Sequence, residues 1–281
     1  MKAVFTLTPA ESKRLLGKAV AQMEEVKAAN ERGYVILAGG TTNAYVLHEL
    51  LGIRYEPQRF TAGISTLGML CVTDAGGRHP FPLVIRQGKI MEGMTMLDAL
   101  KDFHKETVFI KGANAVDPEG NVGVITSGFD GGTVGNSLGI MTSTGLRYVV
   151  PVGLEKLVPS VRDSTFYTGA KTFDYTMGAN FGMFILTKAI VVTEIQALRL
   201  LADVLAVHVA SGGVGGSEGA VVLVVMGEED QVRKAISIVE GIKGEPPIAA
   251  NKGICAKCPY PCRFQGWMEE DLPDWARKGP S

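Results

Sequence analysis

Apolar positions along this chain change spacing from one stretch to the next. Leu15, Leu16, Ala19, Val20, Met23 and Val26 recur at helical spacing. They follow Thr8-Pro9-Ala10-Glu11, a capping box with proline at the first helical position. The pattern predicts one helix that Arg32-Gly33 closes. Residues 34–38 form a short apolar run, read as a buried strand, and residues 44–51 read as a helix. Gly39-Gly40-Thr41-Thr42-Asn43 lies between them, giving the first half of a βαβ unit. Residues 60–95 read as short strands and loops, with a strand over 82–86, and 96–104 as a short helix. Apolar runs at 108–110, 122–125 and 147–152 predict further strands. A glycine-rich turn over 128–136 opens another helix, and 155–159 is a loop or helical turn.

The composition shifts after about residue 185. A strand at 189–192, a helix at 193–202, strands at 204–210 and 220–226, a helix at 231–242 and a last strand at Pro246-Pro247-Ile248 are expected. That β-α-β-β-α-β order suggests a small ferredoxin-like α+β domain. The expected organisation is an α/β domain over 1–187, the ferredoxin-like domain over 188–250 and a cysteine-containing tail over 251–281.

At 46% hydrophobic and 20% charged residues, the chain can build a substantial core, which argues against wholesale disorder. The formal net charge of −1 offers no pull toward nucleic acid or anionic lipid. No apolar run approaches a bilayer span, and residues 1–8 lack a secretory signal, so a cytoplasmic protein without a membrane partner is expected.

The candidate chemistry centres on residues 108–124. An apolar run there becomes a small-residue turn holding Lys111, Asn114, Asp117, Glu119 and Asn121. Polar groups at the carboxyl end of a strand point into the crevice of an open α/β sheet. Lys111, Asp117 and Glu119 are candidates for charge recognition and acid–base work; a plain β-turn at Asp117-Pro118-Glu119-Gly120-Asn121 is the competing reading. The turn at Gly39, Gly40, Thr41, Thr42 and Asn43 and the one at Gly131, Gly132, Thr133 and Asn136 each open a helix. Bare amides and the helix dipole favour an anion there. Tight connections with no ligand are the alternative. Glu155 and Lys156 are a catalytic or ligand-fixing pair, or a surface ion pair of little worth.

Gly112-Ala113-Asn114-Ala115, followed by residues 152–159 (VGLEKLVP), resembles the LUD domain of lactate-utilisation proteins. That resemblance implies a Rossmann-like open sheet of the NagB, ribose-phosphate isomerase and CoA-transferase-like type, over roughly residues 30–165. Gly39-Gly40-Thr41-Thr42 and the Gly112-to-Asp117 turn are similar to motifs of the isomerases. Asn114 stands where those enzymes carry an acidic residue, and residues 126–136 supply no lysine, which departs from their chemistry.

Cys255, Cys258 and Cys262 sit close together in the tail, and close thiolates suit zinc or an iron–sulfur cluster. A fourth ligand would come from Cys71, a histidine, a partner chain or an exogenous group; an unligated cluster or one disulfide remains open. Cys71 lies in an apolar run and reads as a buried small hydrophobe. Two functions follow as expectations. One is binding of a small anionic metabolite (sugar phosphate, CoA ester or organic acid), with isomerisation or acyl or CoA transfer. The other is a non-catalytic sensor or assembly subunit, oligomeric through the ferredoxin-like unit, with a structural metal or iron–sulfur tail.

Overall fold

Strict alternation along the central strands builds two cores back to back. The computed structural model describes residues 1–102 and 104–277. Its central sheet has six strands in the spatial order β12 (Ile190–Val192), β10 (Arg147–Pro151), β7 (Val108–Ile110), β2 (Val35–Leu37), β5 (Leu83–Arg86) and β6 (Lys89–Ile90). The first four are parallel; β5 and β6 run antiparallel at the far edge. Val35, Leu37, Val108, Ile110 and Val149 enter one core, while Ile36, Phe109, Tyr148 and Val150 enter the other. Burial on both faces is why these runs are continuously apolar.

The first core lies under α1 (Pro9–Gln22), α2 (Glu24–Arg32), α3 (Thr41–Leu51) and α7 (Glu194–Ala202). It continues into a three-stranded antiparallel sheet of β1 (Lys2–Leu7), β14 (Val221–Met226) and β13 (Leu205–Ser211), backed by α8 (Glu229–Glu240). The second core packs α4 (Met96–Lys101) and α5 (Gly132–Thr144) with the antiparallel sheet of β8 (Ala115–Val116), β9 (Val122–Thr126) and β11 (Gly182–Leu186). A third, small core joins the hairpin of β3 (Gly63–Thr66) and β4 (Met69–Val72) to the tail through Met69, Phe264, Leu272 and Ala276. The remaining helix, α6 (Val161–Phe166), packs against β11. Among the described residues, no helix is long and apolar enough to cross a membrane.

Several expectations change. The first helix is two, because Met23 turns extended (φ −62°, ψ 137°) between α1 and α2. The helix expected over 96–104 ends at Lys101, and Phe103 lies outside the described residues, as do 278–281 of the tail. The β-α-β-β-α-β order expected over 188–250 does not assemble as one sheet. β12 is apolar toward both cores and pairs beside β10, with Val149 opposite Ile190. Pro246 and Pro247 lack N–H groups, and 246–248 forms no strand. The open place is taken by β1, where Ala3, Phe5 and Leu7 face inward and pair along β14. The N-terminus therefore completes the sheet built by residues 205–226.

Candidate functional sites

All four parallel strands end at the same edge of the central sheet, so the segments after β2, β7, β10 and β12 share one crevice. Lys111 follows β7, Glu155 and Lys156 follow β10, and Glu194 follows β12. The first turns of α1 close over them: Lys13 Nζ lies 3.2 Å from Glu155 Oε1. Lys156 Nζ donates to the Ala113 carbonyl at 2.8 Å, and Lys111 Nζ to the Gly112 carbonyl at 3.2 Å. Neither lysine has a carboxylate within ion-pair distance among the described residues.

The enclosure shifts these groups. Burial, then the positive charge of Lys156, pushes the Lys111 ammonium down to about 8. Burial also lowers Lys156, against the pull of Glu155. Burial, then the negative charge of Glu155, pushes Glu194 up to about 7. Glu194 Oε2 accepts from the Leu154 N–H at 2.9 Å, but its Oε1 is buried without a partner, as are Glu155 Oε2 and Ser12 Oγ. The Ser12 hydroxyl faces Glu194 without a well-formed hydrogen bond. Ser12, Lys13 and Glu194 were not signalled in the sequence. They stand at helix starts, where polar residues are ordinarily read as caps.

The glycine turn after β2 lies beside Lys111, because Ala38 N–H bonds to the Ile110 carbonyl at 3.0 Å. Asn43 is fully buried, and its Nδ2 donates to the Ala38 carbonyl at 2.8 Å, holding strand to helix. Gly39 is pressed against Phe81: a Cβ there would sit 2.7 Å from the ring. Gly40 donates to the Phe60 carbonyl. Thr42 is buried, while Thr41, like Gly39 and Gly40, is half-buried.

The second glycine turn is already filled. Asp130 accepts from the Gly132 N–H at 2.9 Å and from Asn136 Nδ2 at 3.0 Å, so the chain's own carboxylate sits at the start of α5. Gly135 has no room for a side chain, since a Cβ would lie 1.9 Å from the Asp130 carbonyl oxygen. Thr133 Oγ1 makes no described contact, and its carbonyl accepts from Ser137. No hydrogen bond or ion pair among the described residues joins Gly131, Gly132, Thr133 or Asn136 to Lys111.

Asp117 serves its turn. Its carboxylate accepts from Asn121 N–H (2.8 Å), Asn121 Nδ2 (3.0 Å) and Val161 N–H (2.9 Å), which fixes the start of α6. Burial works to raise this carboxyl, and the donors from Asn121 and Val161 overcome it and hold it low. Asn114 Oδ1 accepts from the Ile125 N–H at 3.0 Å. Both residues are engaged within the local sheet.

The cysteines form a separate site. Cys71 on β4 joins Cys255, Cys258 and Cys262 around one small cavity of about 30 Å³, closed by Met69, Gly178 and Phe264. All four thiols are free, and all four are half-buried. The tail reaches the hairpin by backbone pairing, with Gly253 N–H on the Val72 carbonyl at 2.8 Å and a bridge between Thr73 and Lys252. Lys252 is only 3% exposed, and its Nζ lies 3.4 Å from Cys255 Sγ. Burial pushes the Cys71 thiol up to about 11, against the pull of Lys252. Cys71 packs as a partly buried small hydrophobe against the Met69–Phe264 core, as its sequence context suggests, and also lines the cavity of the tail cysteines. Among the described residues, no three His, Cys, Asp or Glu side chains are gathered tightly enough to hold a single ion. The chain matches no family model, no curated protein and no solved structure.

Proposed function

We propose that this chain holds an iron–sulfur cluster through the thiols of Cys71, Cys255, Cys258 and Cys262. The observation that carries the reading is the arrival of Cys71, from a distant hairpin, at the same cavity as the three tail cysteines. A buried ammonium beside these sulfurs supports it, because a four-thiolate centre is anionic and Lys252 supplies a counter-charge. Four thiols around one cavity are the ligand set of an iron–sulfur cluster and equally of a four-thiolate zinc site. When bound, the cluster would supply one-electron chemistry or a clasp between tail and hairpin. The residues around it contribute burial through Phe264 and Met69 and charge through Lys252. Four free thiols suit a reducing compartment, and the cytoplasm is our proposed setting. Anaerobically prepared protein should show broad visible absorption that bleaches on reduction; a colourless preparation after reconstitution with iron and sulfide would overturn the proposal.

A second reading keeps the small anionic metabolite (sugar phosphate, CoA ester or organic acid) but narrows its site. Support comes from Lys111 and Lys156, two neighbouring ammonium groups whose hydrogen bonds among the described residues go to carbonyl oxygens, beside the uncapped start of α3. The LUD-like motifs and a NagB or CoA-transferase type of sheet are proposed with it. Lys111, near neutrality, is the group suited to proton transfer in an isomerisation or acyl transfer. Glu155 is the paired carboxylate and Thr41 a side contact. Thermal stabilisation by one of these ligand classes, absent in Lys111→Met, is the expected result; no stabilisation of the wild type would remove the reading. Self-association is proposed through the outer face of the β1-β14-β13 sheet, where Val4, Leu205 and Val207 are exposed.

A further inference from the structure

Away from both sites, a cavity of about 380 Å³ opens between α1, α3, the segment after α3 and residues 245–249. Its volume falls in the range of small-molecule sites, roughly 300–1,000 Å³. Arg14, His48 and Arg54 are among its lining, with Tyr45, Tyr55, the Pro246-Pro247 stretch and the carboxylates of Glu56 and Glu245. The prolines that could not extend a sheet here form a wall instead.

The basic side is internally mismatched. Arg14 Nη1 lies 2.6 Å from His48 Nδ1, and Arg54 Nε lies 3.0 Å from His48 Nε2. Arginine nitrogens only donate, and a neutral imidazole has one accepting nitrogen. One of the two contacts therefore sets N–H against N–H. A protonated imidazole would make both contacts repulsive. Charge is mismatched too. Glu49 is shared between Arg14 Nη2 at 3.0 Å and Lys18 at 3.4 Å, while Arg54 has no carboxylate within 4.0 Å among the described residues. Glu56 is held by Arg59 at 2.9 Å, and Glu245 lies beside Tyr45, where its charge adds to burial in raising that phenol. An acceptor-rich group entering between Arg14 and Arg54 would give each guanidinium an oxygen and leave His48 one donor and one acceptor contact.

We propose that this cavity binds a small molecule by an anionic group, carboxylate or phosphate, seated between Arg14 and Arg54. The tyrosines and prolines hold its apolar body. The site is independent of the Lys111 crevice and of the cysteines.

The test is calorimetric titration of the full chain with phosphate, phenyl phosphate, acetate and benzoate at matched ionic strength. The aromatic anions should bind at least tenfold more tightly than their bare counterparts. The phosphate and carboxylate arms identify the headgroup. Arg54→Ala, at an exposed position where His48 is the one hydrogen-bond partner among the described residues, should fold normally and weaken binding at least tenfold. Arg54→Lys should recover only part of it, because lysine lacks the planar fork. Absence of binding by all four probes, or unchanged affinity in Arg54→Ala, would each overturn the proposal.

Discussion

Lys252 Nζ lies 3.4 Å from Cys255 Sγ in a side chain that is 97% removed from solvent, its 3% exposure being among the lowest of any charged residue here. A neutral thiol is a weak acceptor for a buried ammonium, and a thiolate or a metal-bound sulfur is a strong one. Removal of the charge should therefore act oppositely in the two forms. Metal-free Lys252→Met should melt at or above the metal-free wild type, by about 1 kcal/mol or more. Cluster-loaded Lys252→Met should lose part of the cluster-dependent rise in Tm and shift the reduction potential negative. Equal effects in both forms would separate Lys252 from the proposed centre.

Glu194 should make stability fall with rising pH. The folded chain keeps this proton up to about pH 7, against an ordinary 4.5 in the unfolded chain. The folded state thus binds more protons between those values, and stability declines from pH 4.5 to 7. Glu194→Gln should remove a cost of roughly 3 kcal/mol above pH 7 and give no gain below pH 4.5. Denaturant melts at pH 4.5 and 8 measure this; equal gains at both would contradict it.

Lys111 should act at higher pH and in the other direction. The unfolded chain holds this proton to about pH 10.5, the folded chain only to about 8. The unfolded state binds more protons in between, so stability rises from pH 8 to 10.5. Lys111→Met should stabilise by roughly 3 kcal/mol below pH 8 and lose that advantage by pH 10.5. Affinity for any anion held by Lys111 should fall above pH 8. A pH-independent difference between the proteins would show that its ammonium is not enclosed.

Asp117→Ala should destabilise rather than merely inactivate. Three N–H donors lose their acceptor, at a cost of roughly 2–4 kcal/mol at pH 7. The carboxyl is held low when folded, so its contribution is present above pH 3.8 and lost as acid protonates it. Chemical denaturation checks this. A variant as stable as wild type would restore Asp117 as a free acid–base group.

The parallel strands and α1, α3 and α7 were legible because short continuous apolar runs, period 3.6 and capping residues mark them. The strand Lys2–Leu7 went unread, because Ala3, Val4 and Phe5 make a short apolar run without clear alternation and do not name the strand they pair with. The partner of β12 was illegible for the same reason: Ile190, Val191 and Val192 suit either sheet. At the crevice, residue type marked Lys111, while Ser12, Lys13 and Glu194 arrive by helix packing that no local pattern encodes. At the Gly131 turn, the neighbouring Asp130 carboxylate takes the Gly132 amide, a local contact that the glycine pattern does not announce. Cys71 gave its apolar neighbours and hid its thiol's destination, which depends on the tail pairing with β4.

The most direct measurement is iron, zinc and acid-labile sulfide content per chain in anaerobically prepared wild type and Cys71→Ala. Iron and sulfide in near-equal amounts in the wild type, with both lost or sharply reduced in Cys71→Ala while the melting of the α/β body persists, is the predicted result. Metal-free wild type after reconstitution, or full iron and sulfide in Cys71→Ala, would contradict a centre built on all four cysteines.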